Sequence, residues 1–201
     1  MKKSVLHTFF DKGLSTCSQK TYLSDLFNKG HYIVLFLILF TISQQTQAQF
    51  TSGRLVAVQT AGSASKGGSA VTLAEYGIDG TPGTSVAIPA TGATPLQMAA
   101  GSGGSEGFLT RSPDGTYLVL AGYSTSATGI ADITATDAVG TPRVVFKVAA
   151  NGNYSQVGSS SSFYSGNDIR GAISDGTNYW AAGASGATDG IDYFGPSTAT
   201  A

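Results

Sequence analysis

Ser112-Pro-Asp-Gly-Thr-Tyr-Leu118 and Ser174-Asp-Gly-Thr-Asn-Tyr-Trp180 are two versions of one pattern, placed 62 residues apart. In the first, proline presets one turn position and glycine supplies the position that needs a permissive backbone. A run of strand length precedes each turn, Glu106–Ser112 and Asp168–Ser174. An aromatic-bearing run follows each, Thr116-Tyr-Leu-Val-Leu-Ala-Gly-Tyr123 and Asn178-Tyr-Trp-Ala-Ala-Gly183, and both carry Ala-Gly near the end. Each copy therefore predicts strand, tight turn, strand, with Asp114, Gly115, Asp175 and Gly176 as the turn residues.

A second pair of motifs surrounds the first. Val71-Thr-Leu-Ala-Glu-Tyr76 leads to Asp79-Gly80, and Val144-Val-Phe-Lys-Val148 leads to Asn151-Gly152, about 72 residues further on. Strand-length runs also occur at Arg54–Thr60, Thr84–Pro89, Tyr154–Val157 and Ile191–Phe194. Between them lie stretches rich in Gly, Ala, Ser and Thr, at Ala61–Ser69, Ala90–Ser105, Ser124–Pro142 and Ala184–Gly190, which read as loops. No apolar 3.6-residue period persists after residue 48 without a Gly or Pro breaker, so the class is all-β. The repeating unit is four antiparallel strands in about 60–70 residues, the arrangement of a propeller blade.

The hairpin Ser-Pro-Asp-Gly-x-Tyr-Leu at 112–118 resembles the blade hairpin of TolB-like and WD-repeat β-propellers. The wider order of motifs is Phe50-x-x-Gly53-x-Leu55-Val56, Ser105-Glu-Gly-Phe108, Arg111-Ser112, Leu120-Ala-Gly-Tyr123, Asn167-Asp-Ile-Arg170 and Tyr179-Trp180. It is similar to that of secreted bacterial repeat proteins of uncharacterised function, over nearly all of residues 50–194. The resemblance implies four-stranded antiparallel blades of a β-propeller and implies no established activity. A β-sandwich or a β-solenoid is the alternative architecture. Residues 49–201 hold about two and a half units, against the 4–8 blades of a closed propeller, so an incomplete propeller, a fragment of a longer one, is expected.

The 201 residues carry a formal charge of −1, the sum of two unlike parts. Residues 1–48 have a net charge of +3 and the remainder −4, and 25 of the 27 glycines fall in the second part. Ile33–Ile42 is apolar except for Thr41, and Thr46-Gln-Ala48 follows as a small-x-small pattern. A basic stretch, a short apolar run and a small-residue site form a secretory signal peptide, here with an extended n-region and cleavage expected after Ala48. An apolar helix of ten residues reaches only about 15 Å, half a hydrocarbon core, so retention as an anchor through residues 33–42 is the alternative. The expected location is outside the cell or on its surface, with membrane contact only through the N-terminal segment. Nothing in the charge points to a nucleic-acid partner.

Cys17, His7 and His31 all precede residue 49. The exported part thus lacks the residues for disulfides, Cys/His zinc sites, His-based triads and His general bases. Carboxylates remain. Asp168, Asp189 and Asp192 are the weak calcium candidates, although no Asp-x-Asp-x-Asp-Gly loop is present. Glu75 and Glu106 are a formal glycosidase pair, but Glu75 sits in a strand where alternation predicts an exposed carboxylate. Arg111 and Arg170 occupy matching positions before the two repeated turns and are expected to brace each blade rather than serve one site. Tyr179, Trp180 and Tyr193 are candidates for stacking on a sugar ring, against packing between sheets. The expectation is an exported, non-catalytic module for binding or scaffolding, with a glycan or a surface protein as partner and no obligatory cofactor. A carboxylate-dependent polysaccharide hydrolase is the alternative.

Overall fold

The computed structural model describes residues 50–61, 66–101, 105–184 and 190–196. Residues 1–48, on which the expected signal peptide falls, with Cys17, His7, His31 and the apolar run 33–42, lie outside the described residues, as does Asp189. Among the described residues there are strands and turns and no helix, so no helix there is long and apolar enough to cross a membrane.

Eleven strands follow one another along the described chain: β1 (Leu55–Thr60), β2 (Gly68–Tyr76), β3 (Pro82–Ile88), β4 (Gln97–Ala99), β5 (Thr110–Arg111), β6 (Tyr117–Tyr123), β7 (Arg143–Ala149), β8 (Tyr154–Ser160), β9 (Ile169–Ser174), β10 (Asn178–Gly183) and β11 (Gly190–Pro196). Every strand pairing is antiparallel; one isolated parallel bridge joins Phe108 to Gly171. The first sheet is β1-β2-β3 with β2 central. The second is β5-β6-β7-β8 and the third β9-β10-β11. The first two sheets are hydrogen-bonded to each other through β4, because Gly68–Ala70 of β2 pair with β4 while Val71–Tyr76 pair with β1 and β3. β4 falls within the stretch Ala90–Ser105 that the sequence reads as loop, and its state comes from this pairing rather than from its own residues.

Strand alternation explains where the core lies. On β6 and β7, Leu120, Val144, Phe146 and Val148 turn to one side and pack with Val71, Leu73, Val86 and Ile88 of the first sheet. Val119, Ala121 and Val145 turn to the other side and pack with Ile169, Ala172, Tyr179, Ala181 and Phe194 of the third. The middle sheet is therefore buried on both faces, and the chain forms three stacked layers. A buried Val, Leu, Ile or Phe contributes about 1.5–3 kcal/mol, and more than ten such residues with at most 2% exposure supply the two interfaces.

Glycine sets the spacing between layers. A Cβ on Gly122 would stand 2.6 Å from the Gln97 carbonyl oxygen, and one on Gly183 would stand 2.6 Å from the Tyr164 ring. These two glycines end the runs Tyr117–Gly122 and Tyr179–Gly183, and at each the sheet comes close to what lies beneath it.

Candidate functional site

The two repeated turns close by local chemistry. In the first, Gly115 N–H donates to Ser112 O at 2.9 Å, with Gly115 at φ +73°. The Asp114 carboxylate accepts from the Ser112 hydroxyl at 2.6 Å and from Thr116 N–H at 3.1 Å. In the second, Asp175 accepts from Thr177 N–H at 2.8 Å and Asn178 N–H at 2.7 Å, with Gly176 at φ +108°. Both carboxyls are held below their ordinary range, Asp114 chiefly by the Ser112 hydroxyl and Asp175 chiefly by Asn178 N–H. Arg111 braces its turn, donating through Nε and Nη2 to Gly115 O at 3.2 and 3.0 Å. Arg170 does not: it points to Asp168 at 3.4 Å, at the opposite end of its strand from the turn. The reason is spacing, since Arg111 adjoins Ser112 whereas three residues separate Arg170 from Ser174.

A cleft of about 450 Å³ opens where residues 50–56 meet the first repeated hairpin and the end of β7. Phe50, Arg54, Arg111, Tyr117 and Leu118 are among the residues that line it. Phe50 N–H donates to Ala150 O at 2.8 Å, which fixes the entering chain along the cleft. The arrangement offers two exposed guanidinium groups beside the half-buried Phe50, suited to hydrogen-bonding hydroxyls or carboxylates, whereas the Tyr117 ring turns to the other face of its sheet, with its hydroxyl 3.0 Å from Ser174 Oγ.

Glu75 is 2% exposed, against the expectation of a solvent-facing carboxylate. Backbone donors converge on it: Thr51 N–H reaches Oε1, and Thr84 N–H reaches Oε2 at 3.2 Å. The Thr51 N–H above all holds its carboxyl below the usual range, so the charge is satisfied inside the first sheet. Glu106 belongs to a different neighbourhood. Its Oε2 accepts from Ala99 N–H at 3.0 Å and its Oε1 from the Tyr123 hydroxyl at 2.6 Å. Burial pushes the Glu106 carboxyl up, and burial followed by the Glu106 charge pushes the Tyr123 hydroxyl up. The two glutamates share no partner and neither lines the cleft.

Sequence reasoning passed over Arg143, which is fully buried at the start of β7. Its guanidinium lies 4.9 Å over the Tyr123 ring. It donates to the carbonyls of Thr141, Thr136, Asn167 and Thr134 at 2.8, 2.8, 3.0 and 3.2 Å, while Nε has no partner. Glu106, Tyr123 and Arg143 together tie β4, β6, β7 and the chain entering β9 into one buried node, whose members fasten the second sheet to the third.

The stacking candidates are divided. Tyr179 is 1% exposed and faces the middle sheet, with its ring 6.5 Å from Tyr117. Trp180 and Tyr193 pair on the outer face with ring centroids 5.6 Å apart. Neighbouring residues of a strand point to opposite faces, so Tyr179 and Trp180 cannot share a platform. The calcium candidates are also apart: Asp168 precedes β9, Asp192 lies in β11, and β10 runs between. Asp168 instead accepts from Ser105 Oγ at 3.3 Å and pairs with Arg170. Among the described residues no three His, Cys, Asp or Glu side chains gather where they could hold a metal ion.

Fold and site together define an all-β chain of stacked antiparallel sheets with an arginine-lined cleft. It matches no family model, no curated protein and no solved structure.

Proposed function

We propose that this chain is an exported, non-catalytic module for binding or scaffolding at the bacterial cell surface or outside the cell, built from propeller-like blades. The observation that carries the reading is the repetition of the packing itself. β6-β7 and β10-β11 place Ala-Gly at the same point of the unit, each with its cross-strand neighbour, and each sheet lies on the one before it. Acidic side chains that chemistry would need are engaged in holding turns and sheets, whereas the cleft presents the exposed Arg54 and Arg111. A glycan or a surface protein suits that lining, and residues 1–48 supply the route out of the cytoplasm.

The carboxylate-dependent hydrolase is a second reading, favoured by one observation: burial raises the Glu106 carboxyl, as a general acid requires. Both of its oxygens, however, are occupied by Ala99 N–H and Tyr123.

The test is expression of the whole chain in a bacterial host, followed by fractionation and N-terminal sequencing. A mature protein starting at Gln49 outside the cytoplasm, retained on insoluble cell-wall polysaccharide and released by Arg54→Ala with Arg111→Ala, is the expected result. Retention of the whole chain in the cytoplasm, or polysaccharide turnover lost in Glu106→Gln, overturns it.

A further inference from the structure

The outer face of the third sheet is apolar and exposed, with no described residue packed over it. Ile191, Ile173 and Tyr193 are 75%, 53% and 50% exposed, Trp180 stands among them, and Phe108, 57% exposed, flanks them beside Gly171. They are contiguous across the strands, because Trp180 pairs with Ile173 on one side and Tyr193 on the other, and Ala182 pairs with Ile191. Patches of this kind on a soluble chain mark an interaction surface.

The chain itself contains a covered counterpart. Ala121 and Ala182 hold the same place in the repeat, and their cross-strand neighbours are Val145 and Ile191. Val119 and Trp180, two residues earlier, pair with Lys147 and Tyr193. In the middle sheet Val119, Ala121 and Val145 are at most 2% exposed because the third sheet lies on them. The occupant of such a face is therefore known in kind: it is the near face of another sheet of this repeat.

At the other end of the stack, the first sheet turns away from the middle one a face whose centre is made of small side chains. Val56 and Val58 point inward, which leaves Ala57, Gln59 and Leu55 outward on β1, beside Thr72 and Ala74 of β2 and Ser85 and Ala87 of β3, with Tyr76 at the rim opposite Leu55 and its hydroxyl bonded to Gln59. Ala57, Ser85 and Ala87 are exposed and Leu55 is 61% exposed. Large side chains on one end and small ones on the other interdigitate, as facing layers of a core do. Two like faces would bring Trp180, Tyr193 and Ile191 against themselves.

We infer that a second copy of this chain covers the outer face of β9-β10-β11 with the outer face of its β1-β2-β3. The sheets then continue across the junction in the order they follow within one chain. Because the two surfaces differ, the contact is head-to-tail, and it closes into a ring or runs on as a filament. The inference rests on the scaffolding reading and names the scaffold's partner.

The experiment measures the mass of the purified protein, as the cell delivers it, by size-exclusion chromatography with light scattering. The parent is expected as an oligomer, and Ile191→Asp and Ala57→Arg, each with one damaged face and a parent-like circular dichroism spectrum, as monomers. An equimolar mixture of the two variants is expected to form a 1:1 dimer, since each retains the face the other lacks. Tyr193→Lys with Ala57→Arg repeats the test on a different side chain. A monomeric parent, as a face reserved for a different protein or a further repeat would give, overturns the inference. So does an Ala57→Arg variant that remains oligomeric, the mark of like faces meeting. An exported, polysaccharide-retained monomer would refute the assembly alone, whereas an oligomer confined to the cytoplasm would refute the exported role alone.

Discussion

Replacing Arg143 isolates the contribution of a buried guanidinium whose partners are carbonyl oxygens. Four of them, from Thr134, Thr136, Thr141 and Asn167, lie within 3.2 Å of its nitrogens. A hydrogen bond to a charged group contributes about 1.5–3 kcal/mol. Four such bonds overestimate the loss, because exposed parts of the 134–142 connection can turn to water once released; removal of one member of a buried charged network costs about 3–5 kcal/mol. Arg143→Ala is therefore expected to destabilise the fold by about 4 kcal/mol, a melting-temperature drop of roughly 8–16 °C for a chain of this length. Arg143→Lys keeps the charge but offers three donors from one point, which cannot reach carbonyls arrayed around a planar fork. It should recover less than half of the loss. Urea unfolding, followed through the fluorescence of the single tryptophan, Trp180, reads both variants against the parent. A lysine variant within about 0.5 kcal/mol of the parent, at unchanged slope, would refute the account, since it would make the fork irrelevant.

Two further outcomes follow from the same packing. The Glu106 carboxyl is raised by burial from an ordinary value of 4.5, so its contribution is fully present below that value and is lost as pH rises through the folded-state value. Glu106→Gln should thus gain on the parent as pH climbs above 4.5, and unfolding curves that keep a constant separation from pH 4 to 8 would contradict this. Gly122→Ala and Gly183→Ala each place a methyl 2.6 Å from an occupied position, a backbone oxygen and an aromatic ring respectively. Each should cost about 1–3 kcal/mol in thermal unfolding, with Gly183→Ala the worse because its methyl would meet the Asp168 carbonyl oxygen as well as the Tyr164 ring.

The parts of this fold that were legible in the sequence are those decided by neighbours along the chain. β7 begins and ends at Arg143 and Ala149, and β10 at Asn178 and Gly183, where the β-rich runs themselves begin and end. The Asp-Gly turns were equally plain, because Asp114 and Asp175 bond the backbone two or three residues away. What the sequence hid depends on distant partners. Gln97-Met-Ala99 is a strand only because Gly68–Ala70 lies alongside it. The serines at the end of β8 are strand because β7 supplies their ladder. Glu75 is buried because Thr51 and Thr84, from either side of β2, bring it backbone donors, and no local rule announces that. Arg143 looked like the polar start of a strand, and only the closure of the 134–142 connection around it discloses its place in the core.

The division of β2 has a consequence for how the protein comes apart. One continuous strand of nine residues gives its first three to β4 and the rest to β1 and β3, and β4 in turn pairs with β6 through Gln97 opposite Tyr123, so strand pairing runs without a break from the first sheet into the second. Arrays of repeats commonly unravel from their ends one unit at a time. Here the amino-terminal end is stitched to its neighbour by strand pairing, while among the described residues the third sheet adjoins the second through packed side chains, side-chain hydrogen bonds such as Thr110 to Ala172 O and Arg143 to Asn167 O, and one isolated backbone bridge at Phe108. Unravelling should therefore proceed from one direction only, and amide hydrogen exchange should report it as earlier loss of protection in β9–β11 than in β2 and β6.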